Sequence, residues 1–535
     1  MTPIDPPLTK SEKNLLPKAN QKDNSNNESP VKQENLKQRA YLNSVTQFLD
    51  FGANQIVGFI TNPFIVSGLG STFYGVWSML GQMTGYAGLA DTRATQVLKW
   101  SIAKNRDIAT DEALRSNVTS ALIVTLIILP FVLIAGGIIS WYSPHITGVS
   151  PIYYNLVRLT CAILILSLVI NKLFNIFESV LRGMNLDYKR MGIGAAIVLI
   201  GGGLKIAAIQ LGYGIIGLSV VQIIVAIITS LALYLIIKKH VGWFGFGKTN
   251  FSQLLNFGKL SGLFMVYASI KLLTKSDKII LGIIAGPVLV TMYAITKFTS
   301  LAVQGLVTNI VYGIFPGIGR IIGKKEYGKV GIVREQIMLL SWITGTAIGS
   351  VIIIFNESFV GLWVGDEHFA GIIANTLIVI MVLQNLLINI DSSIIHITLN
   401  IRMNVFLTFL ATLISILLSL ILINRYGIVG LCISLIAGRL VLSIGLPLVV
   451  NNIINHNTKF SRNKIIIPFL VSIAVFGTSY ILADRIIIRS WLNLIITIPP
   501  SFIIVTLVCW ILGLTSEQRS ALKINLNSIK LFSKD

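Results

Sequence analysis

Five cations, Arg158, Lys205, Lys271, Lys297 and Arg439, fall inside long apolar stretches of the chain. A Lys or Arg at the centre of a membrane helix costs ~2.5–3.5 kcal/mol on insertion scales. Cations are therefore kept there when they face water, a counter-charge or a cargo. Few acids accompany them, whereas a purely structural set of buried ions should sit closer to neutral pairs. The chemistry this points to is capture of an anion within the membrane. Lys271, Lys275 and Lys278 add a pattern, because spacings of four and three place side chains on one helical face. Counted from Lys259, Lys271 stands about 18 Å and Lys275 about 24 Å along a straight helix. That puts the first in the outer half of the hydrocarbon and the second near its outer edge. Asp277 is then a counter-ion for Lys278 or for a cation of a neighbouring lobe. The alternative for Lys275 and Lys278 is snorkelling to headgroups, and for the others a bond to a helix carbonyl.

Two polar stripes complete the set. One runs Asn43, Gln47, Asp50, Asn54; the other runs Asn385, Asn389, Asp391, Ser392, His396. At helical spacing such stripes suit sugar hydroxyls, a coupling proton or sodium ion at Asp50 or Asp391, or helix-to-helix hydrogen bonding. Tyr74, Trp77, Tyr86, Tyr267, Tyr293 and Tyr312 are candidates for stacking on sugar faces, with interfacial anchoring the commoner use of such rings. The chain has no Gly-rich phosphate loop ending in Gly-Lys-Ser/Thr, which argues against drive by ATP. It shows no nucleophile–base pair and no metal-ligand spacing. No cofactor is expected. Cys161, Cys432 and Cys509 read as small core residues.

Composition supplies the elements that must hold these groups. Hydrophobic residues make up 54% of the 535, charged residues 12%, and mean hydropathy is +0.77. A soluble domain carries about 25% charged residues, so this is an all-α polytopic membrane protein. A spanning helix takes roughly 20 apolar residues. Fourteen spans follow: 43–66, 72–90, 116–142, 152–175, 191–211, 214–237, 254–274, 288–316, 335–355, 370–399, 404–424, 427–450, 464–483 and 491–513. The stretch 279–319 is long enough for two crossings, or for one crossing plus a short piece ending at Gly286-Pro287. Charge favours one. With a single crossing most of the 43 Lys and Arg fall on one side, leaving Lys275, Lys278, Arg425, Arg485 and Arg489 on the other. Cytoplasmic loops collect Lys and Arg, so the formal net charge of +21 reads as topology rather than nucleic-acid binding. Both termini are then cytoplasmic.

Tyr213-Gly-Ile-Ile-Gly-Leu218 returns as Tyr426-Gly-Ile-Val-Gly-Leu431, each between two apolar runs. The offset fits a duplicated six-helix unit. Two lobes in the same orientation are related by a pseudo-two-fold axis along the membrane normal, and transporter sites lie between such repeats. The units expected are a tail at 1–40, an N-lobe at 41–240, a C-lobe at 241–455, and a helix pair with a cytoplasmic tail at 456–535. The anionic part of a cargo is expected in the outer half of the seam between the lobes.

Asn62-Pro-Phe-Ile-Val-Ser-Gly-Leu-Gly70, Tyr74-Gly-Val-Trp77, Gly88-Leu-Ala-Asp91-Thr-Arg93, Leu181-Arg-Gly-Met-Asn185 and Ser276-Asp-Lys-Ile-Ile-Leu-Gly282 stand in order along the chain. Over about 40–450 they resemble bacterial polysaccharide and O-antigen flippases of the multidrug, oligosaccharidyl-lipid and polysaccharide exporter superfamily. Thr92 departs from that pattern, which usually has Gly after the Asp. The resemblance implies alternating access, location in the bacterial cytoplasmic membrane, and an undecaprenyl-diphosphate-linked oligosaccharide as cargo. It also implies work alongside a polysaccharide polymerase and its chain-length machinery. The drive would be membrane potential or an ion gradient, with H+ or Na+ left open. Two other readings stand beside it. A multidrug or small-solute antiporter of the same superfamily would need an acidic cavity for its usual cationic cargo. A membrane polymerase would need a large outer loop or a carboxylate motif.

Overall fold

The structure is a computed structural model, described for residues 30–88, 94–105, 109–252, 254–255, 257–259, 272, 274–312, 314–398, 402–454 and 463–520. Side chains of residues 30–41, 105, 312, 316 and 463–465 are left out of that description. Among the described residues, fourteen α-helices carry the fold. They are α1 (Pro30–Ala87), α2 (Ala94–Asn105), α3 (Asp111–Thr147), α4 (Tyr154–Gly183), α5 (Ile193–Gln210), α6 (Gly214–His240), α7 (Asp277–Ala285), α8 (Pro287–Tyr312), α9 (Phe315–Gly323), α10 (Tyr327–Val364), α11 (Ile372–Ile397), α12 (Arg402–Ile453), α13 (Asn463–Ala483) and α14 (Trp491–Leu512). No strand occurs among the described residues.

Ten of the helices are long and apolar enough to cross a membrane. Two of these, α1 and α12, are too long for one crossing, and each is broken by a glycine. Gly70 sits at φ 69°, ψ 168° and Gly427 at φ 53°, ψ −126°. A side chain at either would clash with the backbone, so these glycines set the reversal between paired spans. Counting both halves of α1 and α12, the ten helices account for twelve of the fourteen expected spans. The eighth is α8, and 254–274 lies largely outside the described residues. The chain is a polytopic all-α membrane protein.

The region 277–312 divides where Gly286-Pro287 stands, with Gly286 at φ 85°, ψ 167°. That is the backbone of Gly70 repeated 216 positions later. Gly214 and Gly427 share φ 53°, and Gly148 and Gly365 both end helices at positive φ. All these glycines mark one face of the molecule. The Lys- and Arg-rich stretches, at 99–104, 182–190, 238–248 and 320–334, mark the other, here the basic face.

Packing follows the same division. One apolar cluster at the basic face joins Leu98, Val118, Leu181 and Ile237; another joins Ile318, Ile337, Ile394 and Leu446. Two clusters nearer the glycine face cross between the halves. Met79 packs with Leu281, Tyr293 and Ile428, and Ile65 and Tyr74 pack with Ile295, Val360 and Trp363. Lipid is as apolar as Leu, so such contacts act through close fit and hydrogen bonds rather than through water exclusion. Small residues set the approach. A Cβ on Gly202 would meet Val57 of α1, and one on Gly201 would meet Val225 of α6. Gly201 and Gly202 are thus packing devices, while a Cβ on Gly203 would meet nothing. All three cysteines are buried and free.

Candidate functional site

A cavity of about 720 Å3 opens between α7, α8, α11 and α12. Its lining descends α8 from Lys297 to Asn309, α11 from Met381 to Ser392 and the second half of α12 from Leu435 to Leu446. Each of these runs leads toward the basic face. The first half of the chain contributes Phe51 and Gln82. The expected location, the outer half of the seam, therefore differs from the observed one. The cavity lies mainly within the second half, from mid-membrane toward the basic face. Its ceiling is the apolar cluster that joins the two halves on the glycine side.

The charged lining residues are Lys275, Lys278, Lys297, Arg439 and Asp277. Residues 274–276 form a turn, after which α7 continues to Ala285. This corrects two expectations. The spacing 271-275-278 does not lie on one unbroken helix, and Lys275 and Lys278 are not at the outer edge. Nine further residues of helix, about 13 Å, separate Asp277 from the glycine face. Lys271 lies outside the described residues.

Asp277 is the knot of the site. Lys297 Nζ donates to its Oδ2 at 2.6 Å, the Tyr293 hydroxyl donates to the same oxygen at 2.8 Å, and Gln82 Nε2 donates to Oδ1 at 2.6 Å. Lys297 Nζ also donates to the Tyr293 hydroxyl. The expected partner, Lys278 or a cation of the other lobe, is thus corrected to Lys297 of the same half. Pairing is what makes burial of these ions tolerable. Lys275, Lys278 and Arg439 have no carboxylate partner among the described residues. Among the described residues Arg439 reaches only the carbonyl of Met381, at 3.5 Å. One acid against four cations leaves the described lining at net +3.

Gln82 was not among the sequence candidates, and it ties the two halves together. Its Oε1 accepts the N–H groups of Lys278 and Ile279, at 3.1 and 3.2 Å, which opens α7. Beside it the Tyr86 and Ser276 hydroxyls are hydrogen-bonded. Nearer the glycine face, Thr291 Oγ1 donates to the Ser71 carbonyl and Trp363 Nε1 to the Phe59 carbonyl. A Cβ on Gly75 would run into the carbonyl of Pro287. The signal in the sequence was a glutamine in the middle of an apolar span, where a polar side chain needs a partner.

Other candidates lie elsewhere. Arg158 stacks its guanidinium 4.0 Å from the Trp141 ring and donates to the Trp141 carbonyl. Lys205 is half-buried on α5 and does not line the cavity. Asp50 pairs with Arg190 at 2.7 Å, and Arg190 also binds Asp187. Asn54 donates to the Asp50 carbonyl within its own helix. Asn43 accepts from the Tyr188 N–H and donates to Asn185. The first stripe therefore fastens the connection 184–191, where sequence spacing had allowed a sugar or ion site. Asp391 is held by two bonds from Arg334, at 2.6 and 2.9 Å, so it too is structurally engaged. Asn385 does line the cavity, with Asn389 and Ser392 of the same stripe. Of the aromatic candidates, Tyr86 enters the site's hydrogen bonds through Ser276 and Tyr293 through Asp277, the latter as a buried bridge that offers no free ring face, while Tyr267 and the Tyr312 side chain lie outside the described residues. No cluster of His, Cys, Asp or Glu that could hold a metal occurs among the described residues.

No family model and no curated protein matches the chain. Solved structures do. The chain is similar to the lipid II flippase MurJ in an inward closed conformation, at TM-score 0.64 and 15% identity over 88% of this chain and 99% of that one. It is similar to an inward-facing multidrug resistance transporter of the MATE family, of the MOP superfamily, at TM-score 0.58 and 16% identity over 78% and 96%. A third is a MOP superfamily transporter from Pyrococcus furiosus whose reversed pocket polarity was taken to suggest a different function, at TM-score 0.50 and 16% identity over 78% and 94%. At such identities the likeness shows the fold, which is that of these membrane transporters.

Proposed function

We propose that the protein is an alternating-access transporter that flips a lipid-linked oligosaccharide, joined through a diphosphate of the undecaprenyl type, across the bacterial cytoplasmic membrane. The observation that carries this reading is the charge of the cavity, four cations and one already-paired carboxylate. Unpaired cations at mid-membrane favour an anionic head, and Lys275, Lys278 and Arg439 are the groups to hold it. Lys297 would exchange Asp277 for phosphate. On this reading the basic face is cytoplasmic, so the cavity opens to the side where such lipids are loaded. The seam on the glycine face is the barrier that must open for release. Both termini are then cytoplasmic, and the lobes run 41–240 and 241–455 with 456–535 appended. Export for surface polysaccharide or O-antigen assembly, alongside a polymerase and chain-length machinery, fits such a cargo. A proton or sodium ion remains the coupling ion of choice, with Asp50 and Asp391 less suited to it because each is already held by an arginine.

The antiporter reading is weaker for a physical reason. A cationic drug would meet net positive charge and, among the described residues, a single aromatic lining ring, Phe51. The test is reconstitution of the full chain in liposomes carrying a fluorescent short-chain isoprenyl-diphosphate oligosaccharide, with flipping read by dithionite quenching. Protein-dependent flipping, lost on Lys297→Ala and Arg439→Ala, is expected. Flipping unchanged in both variants would overturn the reading.

A further inference from the structure

Below the cations the cavity changes character. Gln304 and Asn309 on α8 and Asn385 and Asn389 on α11 line it, and no hydrogen bond of these four side chains occurs among the described residues. Each is half-buried. Their amide groups are open to the cavity, where water or a ligand meets them. Asn385 and Asn389 stand one helical turn apart on one face. Gln304 lies seven residues below Lys297 on α8, about 10 Å. No charged side chain is among the lining residues at this depth.

A carboxamide offers two N–H donors and an oxygen with two lone pairs, and a sugar hydroxyl both donates and accepts, so the two groups satisfy each other fully. An ionised carboxylate only accepts. The carboxamide that meets it can still donate, but its oxygen loses the donor that a hydroxyl would have supplied. A cavity of 720 Å3 falls in the range of ~300–1,000 Å3 that encloses a drug-sized ligand. It takes a diphosphate and the first sugars, and leaves the rest of a longer glycan in the open mouth.

We infer that these four carboxamides form a second subsite, which binds uncharged sugar units next to the diphosphate and discriminates against a sugar acid at that position. The inference rests on the flippase reading and specifies its substrate class. Sites built to hydrogen-bond a hydroxyl discriminate strongly, because the mismatched ligand strands buried polar groups. One or two stranded groups correspond to about tenfold to a hundredfold in rate.

The experiment compares two fluorescent short-chain isoprenyl-diphosphate trisaccharides in proteoliposomes of the full chain. One is neutral; the other carries a hexuronate as its second sugar. The neutral lipid should flip at least tenfold faster. Asn389→Lys, which places a cation in the wall, should shrink or reverse that ratio. Asn385→Leu should slow the neutral lipid while its melting curve stays that of the wild type. Equal rates for the two lipids in the wild type overturn the carboxamide subsite and leave the flippase reading standing. Flipping of neither lipid above protein-free vesicles overturns both. If Asn389→Lys flips the neutral lipid normally and gains nothing on the uronate, the subsite is also refuted.

Discussion

Asp277→Asn isolates the central ion pair. In the wild type the side chains of Asp277 and Lys297 are 11% and 10% exposed, and their charged atoms are 2.6 Å apart. Removing one partner of a buried pair costs ~3–5 kcal/mol, because the other charge is left without compensation. Lys297, at mid-membrane, should cost Asp277→Asn at least the ~2.5–3.5 kcal/mol of an unpaired helix-centre cation. The amide keeps the size of the carboxylate, so packing against Tyr293 is little changed. Lys297→Gln should cost less, since Gln82 and Tyr293 still donate to Asp277. The double variant loses both charges together and should cost only ~1 kcal/mol for weakened hydrogen bonds. The coupling energy is then at least ~2–4 kcal/mol, well above the scatter of ~0.3–0.5 kcal/mol for independent sites. Chemical unfolding of the four proteins in mixed micelles, followed by tryptophan fluorescence, measures it. Single-variant losses that simply add in the double variant would refute the pair as a stabilising element of this conformation.

Four other outcomes are expected. Gly75→Val should wedge α1 off the Pro287 carbonyl and open the glycine-face seam; a cysteine at Ile428, buried in that seam, should then react with a membrane-impermeant thiol reagent that leaves the parent unlabelled. Gly70→Ala and Gly286→Ala should each cost ~1–3 kcal/mol, since both residues occupy backbone conformations reserved for glycine, and a melting curve unchanged by both would contradict the assigned reversals. Arg334→Ala strands Asp391, whose side chain is 2% exposed, and should cost ~3–5 kcal/mol with flipping reduced only in proportion to folded protein. Lys99 on α2 has its ammonium held below its ordinary range by burial and then by the charge of Arg182; its protonated form is therefore disfavoured in the fold. The penalty is present below the shifted value and fades as pH rises toward the ordinary lysine value. Lys99→Met should raise the melting temperature at pH 7, with the gain shrinking toward pH 10.

How much of this was legible beforehand depends on the range of the interaction concerned. Apolar run length depends only on the ~20 residues that cross a bilayer, so thirteen of the spans could be read directly, while the break at Gly286-Pro287 is one of the two readings that 279–319 allows. The Tyr-Gly-Ile repeat was legible because glycine at positive φ is a local demand, and Gly214 and Gly427 carry it at the same angle. Lys278, Lys297, Arg439 and Asn385 were found as charges and amides in apolar surroundings, and the structure brings all four to one cavity. Arg158, Lys205, Asp50 and Asp391 met the same criterion and lie elsewhere. Spacing along one helix says which face a side chain takes, and nothing of which distant residue faces it.

The sequence by itself determined the class of the molecule, its helices, its internal repeat and its excess of embedded cations, all properties of composition and of neighbours within a few turns. Only the tertiary structure decided which cation is neutralised and which are left open. Lys297 and Asp277 are 20 positions apart, Gln82 and Asp277 195, and Arg190 and Asp50 meet only when the 184–191 connection folds back on α1. An ion's role in a membrane depends on its partner, because at low dielectric an unpaired charge and a paired one differ by several kcal/mol. That partner is chosen by helix packing, which no window of sequence contains.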